Sequence, residues 1–228
     1  MKITFHSSGI IKFLSIMAML LILANIIMLF IYFSIDNPDQ FDFVQMIDLD
    51  QEANLPTLFS SALLLIAGFL FYLLAKVAKE KTKEQYKYWL GLSFVFVFLG
   101  FDESAKIHET LGDYTEKFVD ASGYLHYPWV LSYGLLLVIL GFLYLRFFLR
   151  MEKKIFRSFI LAAFIFLSGA IGFELLGANE ASLNGTDTVL YCTLYTIEES
   201  LEMFGVIYLI WILLTLLAQK SLSISLKK

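Results

Sequence analysis

Three features of this 228-residue chain predict an all-α integral membrane bundle of six transmembrane helices with both termini cytoplasmic. Hydrophobic residues make up 59% of it and aromatic residues 17%, far from the balance of a soluble domain. The apolar residues gather into six blocks, each near the ~20 residues that cross a hydrocarbon core of ~30 Å. Of the 17 Lys and Arg, 15 fall at the chain ends or in the second and fourth connections between blocks. A single six-helix domain over residues 1–228 is expected, since no internal repeat or low-complexity tract divides the chain.

The first block, Phe13 to Phe33, is too long for the ~7 to 15 apolar residues of a cleaved signal, and no small-x-small site follows it. It reads as a retained anchor. Next comes QFDFVQMIDLDQEAN, residues 40–54, which mixes Phe41, Phe43, Val44, Ile47 and Leu49 with acids. That mixture suits a short amphipathic helix lying in the interface. The second block runs from Leu55 to Ala75. The third starts at Tyr88 and reaches roughly Ile107, with no charge before Asp102. The fourth, fifth and sixth are Pro128 to Leu149, Ile155 to Gly177 and Leu194 to Ala218.

Short loops rich in Lys and Arg resist translocation. The N-terminus, the loop of Lys76 to Lys87, the loop of Arg146 to Arg157 and the C-terminus are therefore expected on the cytoplasmic side. Residues 34–54, 106–127 and 178–193 then face outward. Of 21 Asp and Glu, 18 lie on or near that outer side. A bacterial inner (cytoplasmic) membrane is the expected location. The basic face is explained by anionic lipid, and a nucleic-acid role is not expected.

Depth locates the chemistry. Counted at ~1.5 Å per residue from the inner edge, Asp102 of the third span sits about 21 Å up, and Glu174 of the fifth and Glu202 of the sixth about 24 Å up. Glu109 and Glu198 fall near 30 Å, with His108 and Glu199 beside them. Charge buried at such depth is costly and calls for a shared compensation inside the bundle. Asp102, Ala105, Glu109 and Gly112 would share one stripe of a continuous third helix. The third, fifth and sixth spans are accordingly expected to be mutual neighbours at their outer halves.

Carboxylates with a neutral imidazole are ligands for iron, manganese or zinc. Asp102, His108, Glu109, Glu174, Glu198 and Glu202 form the expected metal set, with His126 of YLHYPW as a second imidazole. Glu199 and Glu103 remain as ligand-free groups for acid–base work, although Glu103 is also placed to pair with Lys106. No Glu-x-x-His pair or His-Glu-x-x-His motif occurs, and the chain has three histidines, so no ferritin-like or zincin pattern is present. Cys192 is the single cysteine, which excludes an intramolecular disulfide and a Cys-based metal site. Neither a phosphate-binding loop nor a Gly-x-Ser-x-Gly elbow is present.

The expected function is that of a metal-dependent membrane enzyme, a hydrolase or oxidoreductase, acting from the outer side on a lipid or lipid-soluble substrate, with membrane lipid as the surrounding partner. A proton- or cation-coupled transporter using the same acids, or a non-catalytic subunit of a membrane complex, is the alternative. The inner halves of the third, fifth and sixth spans carry no charge, which favours a site open on one side.

Overall fold

A computed structural model describes residues 7–34, 45–79 and 82–219. Those residues are helical apart from turns and short connections, with no strand among them. Helix α1 spans Ser7–Tyr32. Its buried residues Leu14, Ala18, Asn25 and Met28 fall on one stripe at coiled-coil spacing, and that stripe meets the last helix. Ile10, Ile11, Ile22 and Leu29 pack on the core from beside that stripe, and the opposite face, with Phe13, Met19, Leu23 and Phe30, is exposed hydrocarbon.

Helix α2, Leu55–Lys79, begins at Asn54, whose Oδ1 accepts the Thr57 backbone N–H at 3.1 Å. Such a cap satisfies one orphan donor of the first turn. Lys76 and Lys79 close the helix, where its dipole favours cations. Helix α3, Lys83–Ala105, returns alongside α2. Two glycines set their separation: a Cβ on Gly68 would lie 2.8 Å from Val97 Cγ2, and one on Gly100 2.8 Å from Leu65 Cγ. The close approach lets Ser61 Oγ donate to the Gly100 carbonyl at 2.6 Å and Ser93 Oγ to the Gly68 carbonyl at 2.8 Å. Small residues and interhelical hydroxyls are the usual means of holding membrane helices together.

Helix α4, Ile107–Thr115, is short and separate from α3. After a 3-10 turn at Gly123–Leu125 come α5, Trp129–Leu149, and α6, Lys153–Leu167. A π-helical stretch, Ser168–Phe173, runs from α6 into α7, Glu174–Asn184. Gly185, at φ 85°, ends that rod, and α8 fills Val189–Gln219. Five of these segments are long and apolar enough to cross a membrane: α1, α2, α5, the continuous rod Lys153–Asn184, and α8. Helix α3 is not among them, because it carries charges at both ends.

Helices α2 and α8 form the centre, with Phe71, Leu63, Leu74, Met203, Ile210 and Leu213 almost fully enclosed. Neither is enclosed on every side: Leu58 and Phe69 of α2 and Trp211 of α8 are exposed. Helix α5 is far more exposed: of its 21 residues, only Val130 and Phe147 are buried. It is held at its two ends. At its C-terminal end Phe147 stacks on Tyr88 at 4.7 Å and meets Trp89 edge-on at 4.9 Å, while Tyr144 donates to the Tyr88 carbonyl at 3.2 Å. At its N-terminal end Gly112 of α4 packs against Trp129, and Thr115 and Ser132 share a hydrogen bond of 2.7 Å. Between these anchors α5 stands off from its neighbours.

The sequence reading needs four corrections here. The third span does not continue through Ile107 as one stripe, because Lys106 adopts the left-handed conformation (φ 55°, ψ 38°) and separates α3 from α4. The cause is local: the Asp102 carboxylate captures the His108 backbone N–H at 2.7 Å and caps α4 from the preceding helix. Residues 46–54 are turns and bends rather than an interfacial helix, and residues 40–44 lie outside the described residues. The third and sixth spans do not pack along each other, since α2 stands between α3 and α8. Finally, two of the expected outer loops are largely helical, 106–127 through α4 and 178–193 through the ends of α7 and α8.

Candidate functional site

The gap behind α5 is a cavity of about 800 Å³. Its inner part is hydrocarbon: Phe94, Val95, Phe98 and Leu99 from α3, Leu136, Leu137, Leu140 and Leu143 from α5, and Phe166, Leu167 and Ile171 from the rod. The outer part is lined by Asp50, Glu52, Asp102, Glu103, His108, Glu109, Glu174, Glu198, Glu199 and Glu202. No Lys or Arg lines it among the described residues. One partly open space thus joins an apolar compartment to an acidic one.

Each wall has a local cause. Asp102 is buried, and both of its oxygens are engaged: Oδ1 takes the His108 N–H and lies 3.3 Å from His108 Nδ1, while Oδ2 accepts the Tyr133 hydroxyl at 2.8 Å. Asp102 therefore fixes the start of α4, the imidazole and α5 together. His108 Nε2 faces Glu52 Oε1 at 3.5 Å, and its ring meets Trp129 edge-on at 5.0 Å. Trp129 donates its indole N–H to Glu174 Oε1 at 2.8 Å. Glu174 and Glu198 are close neighbours across the rod and α8. Glu103, Glu198, Glu199 and Glu202 lie within electrostatic range of one another or of Glu174.

The π stretch brings the rod against α8 at this level. A Cβ on Gly169 would stand 2.6 Å from the Glu198 carbonyl, and one on Gly205 2.8 Å from the Phe166 backbone nitrogen. The Glu174 N–H bonds to the Gly169 carbonyl, five residues back. A π turn of this kind re-aims the residues that follow it and is frequent at functional sites.

The segment 46–54 forms a strap at the acidic end of the cavity. The Leu49 N–H donates to Asn25 Oδ1 at 3.1 Å, and Asn25 Nδ2 donates to Thr196 Oγ1 at 2.9 Å. Asn25 is fully enclosed. Asp50 accepts the Tyr191 hydroxyl at 2.8 Å, and Tyr191 also meets the Tyr127 hydroxyl at 3.1 Å. Glu52 pairs with Lys106 at 2.9 Å. These contacts tie the strap to α1, α4 and α8.

Electrostatics in the strap follow from burial. Burial pushes the Asp50 carboxyl up to about 6, the Tyr191 hydroxyl pulls it back, and Asp48 and Glu174 add to the rise. Burial also raises Glu52 despite Lys106. His108 is lowered by burial, but Asp102, Glu52 and Glu103 outweigh this and leave it raised. Because the folded value of Asp50 exceeds the unfolded one, its contribution to stability is present below about pH 4 and is lost as the pH rises through about 6. Asp50→Asn should accordingly raise the melting temperature at pH 7.5 by about 2 to 6 °C and leave it nearly unchanged near pH 3.5, as read by scanning calorimetry in detergent. A gain of equal size at both pH values would show that the Asp50 charge is not the cause.

Of the residues expected to bind metal, Asp102, His108, Glu109, Glu174, Glu198 and Glu202 line the cavity, as do the acid–base candidates Glu199 and Glu103. Glu109 sits at its edge, about half exposed, 3.6 Å from Lys106. His126 packs on the Tyr127 ring and is not among the lining residues. Lys106 pairs with Glu52 and Glu109 rather than with Glu103. Among the described residues no group of three or more His, Cys, Asp or Glu is arranged to hold a metal ion, and the oxygens of Asp102 and both nitrogens of His108 already have protein partners.

Sequence reasoning missed Asp50, Glu52, Trp129, Tyr133 and Tyr191. For Asp50 and its partner Tyr191 two signals were present: Asn25, a lone amide inside an apolar span, and the Asp48-Leu49-Asp50 alternation that it anchors.

The described residues are those of a helical protein whose apolar helices suit a multi-pass membrane protein. The profile of a family described as a domain of unknown function, DUF8692, matches residues 13–217. The chain belongs to that family. No curated protein and no solved structure matches it.

Proposed function

We propose that this chain crosses the membrane six times as a single unit, with both termini cytoplasmic, and takes a lipid-soluble substrate from the outer leaflet into the cavity behind α5. The bacterial inner membrane is the proposed location. The distribution of Lys and Arg supports this orientation, and α3, alongside α2, supplies the sixth crossing. Labelling a cysteine placed at Asp120 from outside intact cells, in a background lacking Cys192, is expected to succeed. Labelling only after lysis would invert the assignment.

One observation carries the functional reading: a single cavity has a hydrocarbon inner end and an outer end of carboxylates and one imidazole. That division matches an amphiphile lying with its chain inward and its polar group against the acids. Helix α5, held at both ends and exposed between them, is the flank through which such a molecule would enter. At the polar end this chain's own groups can hold and move protons. Asp102 fixes the orientation of His108, and Glu103 and Glu199 are the acid–base groups. The reading is that of an enzyme, a hydrolase or oxidoreductase.

A divalent metal, iron, manganese or zinc by donor chemistry, belongs to this proposal only as a ligand that would draw the carboxylates into a new arrangement. Bound there, it would supply a Lewis acid. As arranged, the donors do not fit it, and no step is routed through it. The transporter reading has less support, because the inner lining offers no polar steps.

Filling the apolar end tests the proposal. Leu140→Trp should leave the protein folded and strip a co-purifying amphiphile that solvent extraction and mass spectrometry find with wild type. Identical extracts from both proteins would remove the substrate claim.

A further inference from the structure

At the end of the bundle away from the acids, a second depression of about 640 Å³ lies between the start of α6 and the inner part of α8. Lys153, Lys154 and Arg157 line it, with Glu152 as the one acid. All three cations are exposed, and none has an ion-pair partner among the described residues. They are the first, second and fifth residues of α6, where no acid is present in the first turn and Glu152 makes no side-chain cap. A helix start favours negative charge, and Lys153 and Arg157, one turn apart, repel each other. An anion seated among them would relieve both costs.

The surroundings indicate what carries the anion. Leu161 and Tyr208 form the apolar side of the depression, and Tyr208 stacks on Trp211 at 5.5 Å. Leu161 and Phe164, one and two turns beyond Arg157, are both exposed. A hydrocarbon surface thus continues directly from the cations, which a free ion would not need.

We propose that Lys153, Lys154 and Arg157, with Tyr208, bind the phosphate headgroup of an anionic phospholipid whose chains lie along Leu161 and Phe164. Basic pockets between membrane helices bind such headgroups by the same combination of charge and apolar contact. The site is independent of the cavity and of the function proposed for it.

The test uses the full chain in detergent, titrated with dioleoyl phosphatidylglycerol or dioleoyl phosphatidylcholine and read by native mass spectrometry. Wild type should prefer phosphatidylglycerol by about tenfold or more. The triple variant Lys153→Gln, Lys154→Gln, Arg157→Gln should lose that preference, and Arg157→Gln alone should lose part of it. Lys83→Gln with Lys87→Gln, which removes charge from the same end of the bundle, should keep it. The site is overturned if the triple variant retains the preference, or if the Lys83 and Lys87 control loses it equally. Displacement of phosphatidylglycerol by inorganic phosphate at equal concentration would also overturn it, by assigning the pocket to a free ion.

Discussion

Asp102→Ala is expected to lower stability by about 3 to 5 kcal/mol, the cost of removing the acceptor from buried hydrogen-bonded partners. Three donors lose their acceptor at once: the His108 N–H, the His108 ring and the Tyr133 hydroxyl. The first holds the start of α4 and the last ties α5 to α3, so the loss should spread from one side chain to three helices. Asp102→Asn is expected to cost less than half as much, since its amide oxygen still accepts the His108 N–H. Calorimetric melting of the two variants in the same detergent checks the difference. Equal losses would mean that the charge matters and the hydrogen bonds do not.

The opposite sign is expected on α8. Glu199→Gln combined with Glu202→Gln should stabilise the ligand-free protein by about 2 kcal/mol, because it removes mutual repulsion among carboxylates for which the cavity offers no Lys or Arg. The same variant should lose its bound amphiphile, since the acids are what the polar group meets. Gain of stability with loss of ligand is the pattern of a site maintained for function at the expense of the fold. A fall in melting temperature, together with loss of a metal detected in wild type by elemental analysis, would instead show that a cation holds these carboxylates together.

The contrast between Asp102 and the α8 glutamates also marks how far the sequence could be read. Membrane helices were legible because ~20 apolar residues have few other uses. Asp102, Glu174 and Glu202, picked out by rise per residue along their helices, line one cavity. What counting could not supply was rotation and interruption. One left-handed residue, Lys106, turned the expected stripe through Glu109 into a separate helix. Glu103, expected as an acid–base group or as a partner of Lys106, lines the cavity without pairing with Lys106. The π stretch before Glu174 changed the register of the fifth span, and nothing in Ser168 to Phe173 beyond its small residues announced it. The strap was misread for a different reason. Its acids and apolar residues fit an interfacial helix equally well, and only the tertiary partner Asn25 decides between them.

The standing-off of α5 is the feature on which the functional account depends, and a cryo-electron microscopy map of the protein in lipid nanodiscs tests it most directly. The account predicts α5 held only at its two ends, with elongated density running from Leu140 and Phe98 toward His108 and Glu202. A map in which the middle of α5 packs against α3 and the carboxylates open to water, with no density between them, would contradict it.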